Sequence, residues 1–255
     1  MYTVGKTSAA LATKPRGGVI ALLIFASLML TYIPILNLIV GPITTFVTAI
    51  HEMSHAFVCV LTGGHVAGMT IVSDGLGHGG LTFCQGGNDF LVTSAGYIGT
   101  TIIGCALIML GSVPKLSKGI LFTIGAVIGL ASITFMFSSV THGIIFQGLG
   151  SMFWGGLFSG LLIWASHKLN VYYANLLVLF LGVQTGLNAL NDVGILVQSS
   201  MSGSSTLSDA TNMAAITGIP APFWAAIWSL IAIGMLGATM WYVYKPSNKG
   251  NLSNF

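Results

Sequence analysis

Between Gly18 and Thr62 the chain runs forty-five residues with a single charged side chain, Glu52. A hydrocarbon core takes about 20 helical residues to cross, so this run is long enough for two crossings. Further apolar runs follow at about 90–111, 119–139, 148–166, 171–198 and 221–244. In lipid every backbone N–H and C=O must be satisfied inside the protein, which leaves helices or closed barrels. Runs of this length select helices. Charged residues are 5% of the chain, where an ordinary soluble protein carries about 25%. The sequence therefore predicts an all-α polytopic membrane protein, integral and multi-pass, with about six to seven transmembrane helices.

The first long run divides at a polar dent from Thr31 to Asn37, followed by Gly41-Pro42, which predicts helices at about 18–36 and 42–62. Residues 1–17 form a polar, basic tail, 18–244 a single transmembrane domain, and 245–255 a second polar tail. The run from Val19 is long for a cleaved signal, and no small-residue cleavage site closes it, so a retained first helix is expected. Trp224 and Trp228 near the start of the last helix, and Trp241, Tyr242 and Tyr244 near its end, suit the two membrane interfaces.

Residues 63–88 break the pattern, because nine of these twenty-six are glycine and no helical period survives. Val66–Val72 and Leu81–Cys84 read as two short strands around a Ser73-Asp74-Gly75 turn signal. A glycine-rich β-hairpin after the second helix is the prediction. Open strand edges do not face lipid, so the hairpin must border water or pack on protein.

Eight basic residues are few and scattered, so the charge gives no sign of nucleic acid and no such partner is expected. Lys115, Lys118, Lys168, Lys245 and Lys249 would share one membrane face, opposite Lys6, Lys14 and Arg16, and the basic-loop rule does not decide between five and three. The cysteines, Cys59, Cys84 and Cys105, are odd in number and two lie in apolar runs, so no disulfide framework is expected.

Against this background one stretch stands out, His51-Glu52-Met53-Ser54-His55. Glu52 is the only glutamate, and it lies between two of six histidines inside a predicted span. Ionisable groups at that depth are costly and mark function by default. On a helix His51 and His55 stand one turn apart, about 6 Å along the axis, so both imidazoles reach one tetrahedral ion. Glu52 points about 100° away from His51, off the ligand positions but close to water activated by zinc. That spacing is the His-Glu-x-x-His signature of zinc hydrolases, with Glu52 as general base and later proton donor. The plain alternative is a polar helix whose histidines bond to neighbouring helices.

A catalytic Zn2+ needs a third protein ligand and one open position. Asp192 is the first choice, as the only other carboxylate inside a predicted span, and Asn188 lies one turn away, where it would bind substrate backbone or act as inter-helix glue. Asp209, in Ser208-Asp209-Ala210, is the alternative ligand, although a loop aspartate is more often solvated or capping a helix. Cys59, one further turn along from His55, reads as a buried apolar residue more readily than a ligand. His65, His78, His142 and His167 lack spacing partners and read as solvated or interfacial.

These segments resemble the site-2 protease family, zinc metalloproteases that cut within membranes, in its compact branch lacking a PDZ domain. The likeness covers about 40–235: His-Glu-x-x-His, then Gly63-Gly64-His65-Val66, Ala95-Gly96-Tyr97-Ile98-Gly99, Asn188 with Asp192, and Ser208-Asp209-Ala210 ahead of Thr217-Gly218-Ile219-Pro220. The chain departs from better-known members in lacking an Asn-Pro stretch that ends in Asp-Gly. The resemblance implies His51, His55 and Asp192 as zinc ligands, Glu52 as base, and membrane protein substrates held extended along a strand edge at 66–72 or 80–84. Two rivals remain. One is a catalytically silent membrane protein of the same fold that binds client helices. The other is a metal-handling permease, disfavoured because the ligand types do not line a path. Oligomeric state is not legible in the sequence.

Overall fold

The computed structural model describes residues 17–32, 37–72, 79–202 and 208–245, and for 188–202 and a few positions near 17–40 and at 244 only the backbone is described. In chain order the elements are α1 (Gly17–Tyr32), α2 (Asn37–Leu61), β1 (His65–Thr70), β2 (Leu81–Gln85), α3 (Asp89–Gly111), α4 (Ser117–Ala131), α5 (Phe137–Thr141), α6 (Ile145–Lys168), α7 (Val171–Ser202), α8 (Asp209–Thr217) and α9 (Ala221–Tyr244). A π-helical turn, Ser132–Met136, joins α4 to α5 as one continuous rod.

Among the described residues five helical stretches are long and apolar enough to cross a membrane: Gly41–Leu61, Asp89–Gly111, Pro114–Thr141, Ile145–Lys168 and Ala221–Val243. Five of the expected six to seven crossings are found in this way, and α1, 16 residues long, and the apolar stretch Val171–Leu187 of α7 are further, shorter apolar helices. Helix α2 starts earlier than the sequence suggests and runs through Pro42. Pro42 is in the second turn, where it forgoes one intrahelical bond, the one its missing N–H would have made to the Leu38 carbonyl. The predicted Ser73-Asp74-Gly75 turn lies outside the described residues.

The outer surface is apolar, with Phe57, Leu130, Ile133, Phe146, Leu161 and Leu230 exposed. Water exclusion gives little drive between helices in lipid, so close packing and internal hydrogen bonds must hold the bundle. One cluster joins Phe46, Val47 and Ile50 of α2 to Leu121 and Ile128 of α4, Phe158 and Leu162 of α6, and Val178 and Leu181 of α7. Helices α3 and α7 meet backbone to backbone at glycine. A Cβ on Gly104 would lie 2.5 Å from the Gly186 nitrogen and 3.0 Å from the Gly182 carbonyl oxygen. Gly182 and Gly186 are four apart, on one face of α7, as such an approach requires. Asn175 completes this seam, donating from Nδ2 to the Gly111 carbonyl (2.6 Å) and to Ser117 Oγ (3.0 Å), so that α7 fixes the turn between α3 and α4.

The hairpin forms as expected, antiparallel, with Thr70 opposite Leu81, Met69 opposite Thr82, and Val66 opposite Cys84 across an irregularity at Val66–Gly68. Its two edges differ. β1 is buried, and its outer edge is capped by serines of the helices: Ser138 Oγ donates to the Ala67 carbonyl (2.7 Å), Ser139 Oγ to the Met69 carbonyl (3.0 Å), and Ser151 Oγ accepts from the Ile71 N–H (2.8 Å). That occupation removes 66–72 as an edge for a substrate strand. Among the described residues no backbone group bonds to the outer edge of β2.

Cys59 and Cys84 form a disulfide with a Cα–Cα distance of 6.0 Å, while Cys105 is free and buried. This corrects the expectation of no disulfide. Cys59 sits in the last turns of α2; the chain reverses at Gly63 (φ +83°), and strand pairing returns Cys84 over the helix end. Gly64 makes room, since a Cβ there would lie 2.8 Å from Cys59 Sγ and 2.9 Å from the Gly86 carbonyl oxygen.

Because its neighbours are backbone, Gly104→Ala is expected to destabilise the detergent-solubilised protein by on the order of 1–3 kcal/mol, seen as a lower melting temperature. Gly160→Ala, whose Cβ meets nothing within 4 Å, serves as the control and should melt as wild type or slightly higher.

Candidate active site

His51, Glu52 and His55 occupy neighbouring turns of α2, with Glu52 and His55 each 6% exposed. Helix α3 passes so close that a Cβ on Gly96 would collide with the Nε2 atoms of both histidines, and one on Gly99 would collide with Ser54. The glycines of Ala95-Gly96-Tyr97-Ile98-Gly99 therefore serve a steric purpose: they bring the α3 backbone against the histidine face of α2. From the first turn of α3, the Val92 carbonyl accepts from His55 Nδ1 at 2.6 Å. That bond keeps a proton on Nδ1, so that on binding a metal His55 would give up the Nε2 proton it shares with Asp209 and offer the Nε2 lone pair.

The third member comes from 158 residues away. A single oxygen of Asp209, Oδ2, lies 3.0 Å from His51 Nε2 and 3.1 Å from His55 Nε2. Asp209 is the first residue of α8, and Ser208 caps that helix, accepting from the Thr211 N–H while Thr211 Oγ1 accepts from the Ser208 N–H. This reciprocal box leaves the Asp209 side chain free of capping duty and turned toward the histidines. Ala210 and Met213 of α8 are buried with Tyr97, Ala225 and Trp228, and Trp224 Nε1 donates to Thr217 Oγ1 at 3.0 Å. The Tyr97 ring meets His51 edge-on at 5.4 Å and stacks on Trp228 at 4.8 Å. Burial alone would raise the Asp209 carboxyl. The imidazoles of His55 and His51 outweigh that and hold it well below the usual carboxylate range.

Glu52 lies outside this trio. Its Oε2 accepts from Thr82 Oγ1 at 2.7 Å, and its backbone carbonyl lies 3.0 Å from the same hydroxyl. The arrangement divides labour: three neutral or anionic donors converge on one point, and one buried carboxylate stands beside them.

His51, His55 and Asp209 offer ligand atoms that all lie within 4.8 Å of one another. Ligand atoms on a tetrahedral zinc, with bonds of about 2.0–2.2 Å, stand about 3.3–3.6 Å apart. The two histidine–carboxylate distances, 3.0 and 3.1 Å, fall a few tenths of an ångström short and the three ligand atoms spread no further than 4.8 Å, so side-chain adjustment closes the set on one ion. The donor chemistry, two imidazoles and a carboxylate, is that of a catalytic zinc with one position open. Among the described residues, Asp209, the alternative in the sequence reading, is thus the carboxylate that the structure brings to the histidines. Asp192 and Asn188 lie on α7, but their side chains fall outside the described residues. Cys59 is committed to its disulfide. His65 and His142 are exposed, His142 Nδ1 bonding only locally to the Ser138 carbonyl and Ser138 and Thr141 hydroxyls, and exposed His167 packs its ring edge against Phe122. His78 lies outside the described residues. Thr82, the Val92 carbonyl and the steric role of Gly96 were not read from sequence; the Ala-Gly-Tyr-x-Gly run of small residues was the one signal pointing toward α3.

No curated protein and no solved structure matches the chain significantly. The family model described as Peptidase M50B-like matches residues 18–239, which takes in α1 to most of α9 and every residue of the site described above. With that coverage, the chain belongs to the M50B-like peptidases, a branch of the site-2 protease family.

Proposed function

We propose that this protein is a zinc-dependent endopeptidase that hydrolyses peptide bonds in or next to membrane-spanning segments of other proteins. The observation that carries the reading is the convergence of His51 Nε2, His55 Nε2 and Asp209 Oδ2 beside the buried Glu52. His51, His55 and Asp209 would hold the zinc. When bound, zinc acidifies water toward neutral pH and polarises the scissile carbonyl.

The chain's own residues do the rest. Glu52 takes the proton from the attacking water and later delivers it to the leaving amine. Its neighbours on α2, Ala49 and Ala56, are fully or almost fully buried, so bulk water is kept from that part of the helix. A membrane helix hides its peptide bonds in its own hydrogen bonds, so a substrate segment must be unwound and held extended. The outer edge of β2 supplies a row of backbone donors and acceptors for that purpose, on the strand that contacts Glu52. Recognition by backbone favours segments that unwind easily, those rich in glycine, proline or β-branched residues.

Three outcomes are expected with the purified protein and fluorescein-labelled β-casein, an unfolded polypeptide that requires no unwinding. Glu52→Gln should retain its zinc and cleave at a rate lower by roughly 10²–10⁴-fold, the usual contribution of a general base. A chelator such as 1,10-phenanthroline should abolish cleavage by the wild type, and added zinc should restore it. Cleavage by Glu52→Gln at the wild-type rate would remove Glu52 as the base, and no cleavage by the zinc-loaded wild type would leave a client-binding protein as the reading.

A further inference from the structure

We propose that Thr82 is a positioning residue for Glu52, holding the general base in its working orientation from the hairpin; the proposal rests on the peptidase reading above. The Thr82 hydroxyl carries one proton. It points between Glu52 Oε2, at 2.7 Å, and the Glu52 backbone oxygen, at 3.0 Å. With Oε2 tied in this way, the carboxylate plane is set and Oε1 is the oxygen left to take a proton. The terminal torsion of a glutamate is otherwise broad.

The strand is built to hold that hydroxyl in place. Residues 80, 82 and 84 lie on one face of β2, and residues 52 and 59, seven apart, lie on one face of α2. The two faces are laid together at three points. Gly80 approaches so closely that a Cβ there would lie 2.9 Å from Glu52 Cγ, 2.7 Å from Thr48 Cγ2 and 2.8 Å from the Thr70 carbonyl oxygen. Thr82 makes its hydrogen bond to Glu52. Cys84 is bonded to Cys59. The same strand whose outer edge is open to substrate is therefore stapled to the helix that carries the base, and Thr82 sits between the two. Displacement of a reacting group by about 1 Å costs roughly 10²-fold in rate, so the register of β2 on α2 matters to turnover.

The test compares Thr82→Val, which keeps shape and loses the hydroxyl, with Thr82→Ser, which keeps the hydroxyl. On β-casein, Thr82→Val should lower kcat by roughly 10- to 100-fold with little change in KM, at wild-type zinc content, and Thr82→Ser should recover most of the rate. A second readout needs no activity. In the metal-free protein, the melting shifts of Thr82→Val and Glu52→Leu should be less than additive in the double variant, because both remove one bond. Wild-type kcat in Thr82→Val, equal losses in the Val and Ser variants, or additive melting shifts would each overturn the role of Thr82. No cleavage by the zinc-loaded wild type, or a Glu52→Gln variant as active as wild type, would instead overturn the reading of Glu52 as the base of a peptidase and leave the melting result to judge the contact.

Discussion

One carboxylate oxygen shared by two imidazoles organises this protein. A half-buried aspartate without partners would lose part of its charge or destabilise the fold. Here His51 and His55 stand 3.0 and 3.1 Å from Asp209 Oδ2, so the ends of a chain segment 158 residues long are drawn to one point. Much of the later sequence serves that meeting. The Ser208–Thr211 box starts α8 where Asp209 must lie, and Tyr97, Trp228 and Met213 close an apolar wall around it. In a bilayer, where apolar burial gives helices little reason to associate, a polar centre of this kind also supplies attraction that lipid cannot replace.

The centre exists because the helices around it are narrow where they cross. Gly96 and Gly99 let α3 lie on the histidine face of α2, and Gly104, Gly182 and Gly186 let α7 lie on α3. A side chain at Gly96 would occupy the space between the histidine nitrogens. The small residues that look like generic packing in the sequence are thus of two kinds: some only bring backbones together, and one borders the reacting space. On the adjoining face of α2 the hairpin completes the enclosure, with its inner strand sealed by Ser138, Ser139 and Ser151 and its outer strand stapled at Cys84.

The class of fold was legible because lipid imposes long apolar helices. The position of the site was legible because two histidines and a glutamate within one helical turn are costly in a membrane unless they bind something. The hairpin was legible too, since nine glycines end any helical period. The third ligand was harder. Asp192 lies in an apolar run, which favours it in the sequence, and its side chain is outside the described residues, whereas Asp209, which the structure sets beside the histidines, reads in the sequence as a capping residue in a polar loop. The capping was done instead by its neighbour Ser208, a distinction that depends on which of two adjacent side chains turns inward. The disulfide was missed for a similar reason. An odd cysteine count and two apolar settings say nothing about a strand folding back over a helix end. Thr82 carried no local signal at all, because its partner is thirty residues away on another element.

The claim on which the rest depends is that Asp209 completes a zinc site with the two histidines. Zinc content of the purified protein, measured by mass spectrometry of the metal for Asp209→Ala beside Asp192→Ala, tests it most directly. The account predicts about one zinc per chain in wild type and in Asp192→Ala, and its loss in Asp209→Ala, since a catalytic site draws on three protein ligands. Full zinc in Asp209→Ala together with loss in Asp192→Ala would contradict it.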